Sequence, residues 1–149
     1  MMNIKPAEQI IFEYDAKKDP TEEEVFMVTE ALSWMIEDSH SPDDMMHLGD
    51  IWFERKEYEK ALKYYEMASE YEYDPADERL GDIYYHGLAG KTDYRLAFYH
   101  YEESMKRGNP HSARKTAEMY KYGHYVKQNS EKYEEIMSSL QTETDGKES

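Results

Sequence analysis

Asp43 to Tyr73 reads DDMMHLGDIWFERKEYEKALKYYEMASEYEY, and Ala76 to Gly108 reads ADERLGDIYYHGLAGKTDYRLAFYHYEESMKRG. These are two copies of one unit. Leu48-Gly49-Asp50-Ile51-Trp52 returns as Leu80-Gly81-Asp82-Ile83-Tyr84 after 32 residues, and Tyr58, Ala61 and Tyr65 return as Tyr94, Ala97 and Tyr101 after 36. The four extra residues fall in one loop, where His86-Gly87-Leu88-Ala89-Gly90-Lys91-Thr92 replaces the turn at Glu54-Arg55-Lys56. A recurrence of this length marks a repeat architecture. Each copy reads as two helices, because Ala61, Leu62, Tyr65 and Ala68 recur at the spacing of one helical face. Gly49 and Gly81 lie inside helical patterns, which costs about 1 kcal/mol each relative to Ala. Close approach of a partner helix is the expected reason. Gly87, Gly90, Gly108 and Gly123 fall at helix ends, where left-handed backbone is common.

A weaker third copy follows. Ala117, Tyr120 and Gly123 stand 36 residues after Gly81, Tyr84 and Gly87. Asn109-Pro110 signals a turn, and Asn129-Ser130 signals a helix N-cap. Towards the N-terminus, Ala7 to Ala16 has a helical pattern. Pro20-Thr21-Glu22-Glu23-Glu24 is a helix start that Val25 to Glu37 continues. Terminal copies of a stack are atypical because they cap it. The expected organisation is a helix pair over 1–42, repeats over 43–74 and 75–110, a degenerate repeat over 111–140, and a disordered polar tail over 141–149.

Composition narrows the class. The 149 residues are 39% hydrophobic and 34% charged, a balance that borders on disorder. Fifteen Tyr, four Phe and two Trp at regular spacing argue for folding instead, since Tyr buries a ring while leaving its hydroxyl near water. The length suits one domain. Cys is absent, which excludes disulfides, thiolate metal sites and Cys nucleophiles. No stretch approaches roughly 18 consecutive apolar residues, so a cytoplasmic protein is expected. A net charge of -15 disfavours nucleic acid and anionic membranes as partners and favours basic surfaces.

Tyr84, Gly87, Gly90, Asp93, Ala97, Tyr101 and Gly108 stand in a known pattern: a longer inter-helix loop with a Gly pair and a following Asp. In these residues the chain resembles the Sel-one-like branch of the tetratricopeptide-type repeats. Residues 76–108 match it well, and 43–73 looks more like a plain tetratricopeptide unit. The resemblance implies an all-α fold, a right-handed alpha-alpha superhelix (solenoid) of three to four antiparallel helix pairs. It also implies a scaffold that binds a protein or peptide on its concave face and catalyses nothing. In such families the first helix of each repeat lines that face. Helical register then nominates Met46, Asp50 and Phe53 in one repeat, Glu78, Asp82 and Tyr85 in the next, and Arg114, Glu118 and Lys121 in the third. An acid beside an aromatic residue suits a basic peptide with apolar anchors.

Other chemistry is poorly supported. His40, His47, His86, His100, His111 and His124 form no recognised ligand spacing, so no metal or cofactor is assigned. Adjacent acids such as Asp43-Asp44, Glu102-Glu103 and Glu134-Glu135 point in different directions on a helix and do not form a catalytic pair. Gly87 to Thr92 lacks the spacing of a phosphate loop and has no preceding strand. The Tyr residues are expected in the core and between repeats, and Met67 and Met105 are expected to be buried. Two alternatives to a peptide-binding scaffold remain: an acidic decoy that blocks a basic nucleic-acid-binding protein, and a self-assembling structural module.

Overall fold

Helix starts are written into capping side chains. The Thr21 hydroxyl accepts from the backbone N–H of Glu24, and the Glu24 carboxylate accepts from the backbone N–H of Thr21, closing a capping box. Asp93, Asn109 and Asn129 accept from the backbone N–H of Leu96, Ser112 and Lys132. Pro42, Pro75 and Pro110 stand in the first turn of three helices, one of them the helix that Asn109 caps, where a missing N–H costs nothing. Asn109-Pro110, expected as a turn, is therefore a cap and first helical residue.

The computed structural model describes residues 5–147, with the side chains of 5–142. The described residues form eight helices and no strand: α1 Ala7–Asp15, α2 Glu22–Ser39, α3 Pro42–Glu54, α4 Tyr58–Ser69, α5 Asp74–His86, α6 Tyr94–Lys106, α7 Pro110–Tyr122 and α8 Ser130–Lys147. α8 continues through 141 to Lys147, where a disordered tail was expected over 141–149, and residues 148 and 149 of that tail lie outside the described residues. The chain divides into two compact units, Met1–Tyr71 and Glu72–Ser149, where length alone suggested one domain.

In the first unit α1 packs on α2, α2 on α3 and α3 on α4. Its core holds Val28, Leu32 and Ile36 of α2, Met45, Leu48 and Ile51 of α3, and Ala61, Tyr65 and Ala68 of α4. In the second unit α5 packs on α6, α6 on α7 and α7 on α8. Its core holds Ala76, Leu80 and Ile83, then Ala97, Phe98 and Tyr101, then Ala113, Ala117 and Met119. Met67 and Met105 are only half-buried, contrary to expectation.

The helix-interior glycines have a packing cause. A Cβ on Gly49 would stand 2.6 Å from the Tyr65 ring, and one on Gly81 would stand 2.5 Å from the Tyr101 ring. Each ring therefore lies directly on its partner backbone, and a bulkier residue would push it out. The Tyr65 hydroxyl then donates to Asp50 at 2.6 Å, and the Tyr101 hydroxyl donates to Asp82. Gly, Tyr and Asp thus act as one device, present once in each unit.

Backbone bonds confirm the register of all three repeats. The N–H of Glu57, Asp93 and Asn129 donates to the carbonyl of Trp52, Tyr84 and Tyr120, at 2.9, 2.9 and 2.8 Å. Each bond closes the loop between the paired helices. Gly87 and Gly123 end α5 and α7 in left-handed backbone, at φ 63° and 68°. The third repeat keeps the long loop of the second.

A buried polar group ties α6 to α5. Asp77 is 1% exposed and accepts from the Arg107 guanidinium. It also meets His100 Nδ1 at 2.8 Å. Burial opposes the Arg107 charge, but hydrogen bonding and attraction to Asp77 more than offset it and hold the guanidinium protonated.

Candidate partner-binding face

α5 places Glu78, Asp82 and Tyr85 at successive turns, and all three are half-buried. The Asn109 amide, at the start of α7, donates to Glu78 at 2.6 Å and to Asp74 at 3.2 Å. Asp82 accepts from the Tyr101 hydroxyl and lies 3.5 Å from His111 Nε2. Among the described residues, neither Glu78 nor Asp82 has a Lys or Arg within ion-pair distance. Asn109, Tyr101 and His111 are thus the groups that hold the two carboxylates. The Tyr101 proton is held well above the ordinary range by burial, then by its bond to Asp82.

Donor atoms of Glu78, Asp82 and His111 lie within 4.8 Å of one another, near enough to share one cation. This grouping was illegible in sequence, because His111 arrives from the next repeat. Asn109 and Tyr101 already donate to these carboxylates.

Tyr85 begins an aromatic cluster. Its hydroxyl meets His124 Nδ1 at 3.0 Å, and Tyr94 stacks on the His124 ring with centroids 4.4 Å apart. Burial, then the neighbouring Tyr94, Glu118 and Tyr122, raises the Tyr85 phenol above its usual range. From α7, Lys115 reaches over the Tyr85 ring, 5.8 Å from its centroid, and pairs with Glu118 at 3.5 Å. Glu118 therefore joins the α5 residues. Arg114 is exposed. Lys121 turns to the rings of Tyr122 and Tyr133, towards α8. Tyr94, His124, Asn109 and Lys115 were not nominated from sequence. Tyr94 recurs after Tyr58 and Asn109-Pro110 signals a turn, but neither spacing places these residues beside Tyr85 or Glu78.

In the first unit the corresponding residues differ. Met46 is 8% exposed and belongs to the core, so it offers no contact surface. Phe53 packs edge-on against Tyr58, with centroids 5.3 Å apart. Asp50 lines a cleft of about 440 Å³ shared with Lys17, Lys18, His47 and Arg55. Asp15 and Glu54 line the same cleft, so acids and bases are mixed there.

A model of the Sel1 repeat matches residues 45–70, 75–109 and 110–132, more than half of the chain. The match includes the short-loop copy that looked like a plain tetratricopeptide unit, and the degenerate third. No curated protein sequence matches the chain. Among solved structures, a Sel1 repeat protein from Oxalobacter formigenes aligns with a TM-score of 0.70 at 20% identity, over 91% of this chain and 55% of that one. A protective antigen present in uropathogenic Escherichia coli strains, displaying an SLR fold, aligns with a TM-score of 0.71 at 19% identity, over 92% of this chain and 29% of that one. The likeness shows the fold, and the chain spans only about half and under a third of those two lengths. Sel1 repeat proteins generally act as protein-interaction modules, and on its three matched repeats this chain belongs to the Sel1 repeat family.

Proposed function

We propose that this chain is a non-catalytic interaction module. In this reading, its second unit binds a basic segment of a protein partner on the α5 face made by Glu78, Asp82 and Tyr85, with Glu118 and Lys115 of α7 alongside. Arg114 would serve the rim. Asp50 and Phe53 would form a lesser contact surface within the first unit. The observation that carries the reading is the pair of hydrogen-bonded carboxylates, Glu78 and Asp82, with no Lys or Arg in pairing distance among the described residues. Their geometry is set before a partner arrives, so a Lys or Arg binds without first ordering them. The Tyr85–His124–Tyr94 rings supply the adjoining apolar surface.

The test removes charge without removing shape. Glu78→Gln with Asp82→Asn keeps acceptors for Asn109 and Tyr101. A partner captured by the full chain should cross-link near α5 and bind the double variant at least about tenfold more weakly. Unchanged affinity would sink the reading. A captured nucleic-acid-binding protein that DNA displaces competitively would favour the decoy alternative instead.

A further inference from the structure

A second surface lies in the first unit, on the outer side of α2. Glu23, Phe26, Met27, Glu30, Trp34 and Glu37 follow one another at the spacing of a single helical stripe, and all six are exposed. Phe26 is 64% and Trp34 60% exposed, and Phe12 of α1 is 75% exposed. The opposite side of α2, with Val25, Val28, Leu32 and Ile36, fills the core. Scattered surface aromatics are ordinary, but an aligned row of them marks a contact face.

Charge identifies the occupant. α2 contains Glu22, Glu23, Glu24, Glu30, Glu37 and Asp38 and no Lys or Arg. Glu22 and Glu24 pair with Arg55 and Lys17, off the stripe. Among the described residues, Glu23, Glu30 and Glu37 have no ion-pair partner. A second copy of this chain would bring like carboxylates together between two molecules of net charge -15. An anionic membrane would be repelled for the same reason. Apolar anchors interleaved with acids are complementary to an amphipathic helix whose apolar face is flanked by Lys and Arg. From Glu23 to Glu37 the stripe runs about 21 Å, the length of a four-turn helix.

We propose that the α2 stripe is a docking face for a basic amphipathic helix of a partner protein. Phe26 and Trp34 are the anchors, and Glu23, Glu30 and Glu37 set its orientation. This surface shares no residue with the α5 face and stands or falls independently of it.

The probe is a labelled two-heptad peptide of Leu and Lys at amphipathic spacing, titrated into the full chain. The control peptide carries Ser in place of Leu. We expect saturable binding to the Leu peptide with a shift in Trp emission, and binding at least about tenfold weaker for Phe26→Ser with Trp34→Ser. Both side chains are solvent-exposed, so circular dichroism should show unchanged helicity in that variant. Repeating the titration in the Glu78→Gln, Asp82→Asn background removes any binding at the α5 face, and the loss caused by Phe26→Ser with Trp34→Ser should persist there. Equal affinity for the Ser control, or for the Phe26→Ser, Trp34→Ser variant, would reduce the effect to ion atmosphere and overturn the proposal. Concentration-dependent dimers of the parent that Trp34→Ser abolishes would assign the stripe to a second copy, which also overturns it.

Discussion

The α5–α6 pair and the α7–α8 pair carry the same loop but different interiors. Both close the loop with equivalent backbone bonds, Asp93 to Tyr84 and Asn129 to Tyr120. In α5–α6, Gly81 admits the Tyr101 ring against bare backbone, and the ring delivers a hydroxyl to Asp82. In α7–α8 the residues 36 positions on are Ala117, Met137 and Glu118. With Met in place of Tyr there is no ring for a glycine to admit, and Ala restores helix propensity. The loop and the interior of a Sel1 repeat are thus separable. A hydrogen bond holds the first, and in α5–α6 the contact of Gly81 with the Tyr101 ring holds the second.

The strongest way to break this contrast is to empty the ring site. Tyr101→Ala should cost about 3–5 kcal/mol in urea unfolding, as for a large buried ring, and Met137→Ala should cost clearly less. A similar loss at both would mean that the two interiors are equally packed. Gly81→Ala should follow at about 1–3 kcal/mol, because the new methyl meets the Tyr101 ring. Installing the third repeat's pair through Gly81→Ala with Tyr101→Met should recover part of that loss, and the double-mutant cycle measures the coupling. Additive losses would end the idea of a size-matched pair. The reverse change, Ala117→Gly, should cost about 1–2 kcal/mol, through helix propensity and the loss of one buried methyl.

A smaller effect follows from pH. The Tyr101 proton is bound more tightly in the folded chain than at the usual Tyr value of about 10. Above that pH the unfolded chain releases the proton and the folded chain keeps it, so stability falls as pH rises. Below it the two states bind the proton alike and the contribution is intact. Unfolding curves between neutral and alkaline pH should show this decline, and Tyr101→Phe should flatten it. Comparably small, Glu78→Gln with Asp82→Asn should cost about 1 kcal/mol, since the amides keep acceptors for Asn109 and Tyr101 but weaken bonds made to charged groups. Its effect belongs to partner affinity. Asp50→Asn should matter less to binding, since that acid stands in a cleft where acids and bases are mixed.

Much of the fold was legible because repeats print their constraints twice. The helix-interior glycines, the ring positions that answer them and the left-handed Gly ends each recur at fixed intervals. One sequence therefore carried its own alignment. The candidate face was legible only in part. Register nominated Asp82 and Tyr85, but it also nominated Met46, which the α3 core takes up. A helical wheel separates faces but does not say how wide a neighbouring helix spreads over them. Lys121 shows the same limit, turning to Tyr133 of α8 instead of towards α5.

The sequence by itself determined the class, the repeat register, the helix starts and the acidic balance, because these rest on local spacing, capping and composition. Only the tertiary structure decided which acids stand without a cation, that Asn109 and His111 arrive beside Glu78 and Asp82 from the next repeat, and that Phe26 and Trp34 look outward. Those facts depend on contacts between residues distant along the chain, and no local pattern encodes a distance that only packing sets.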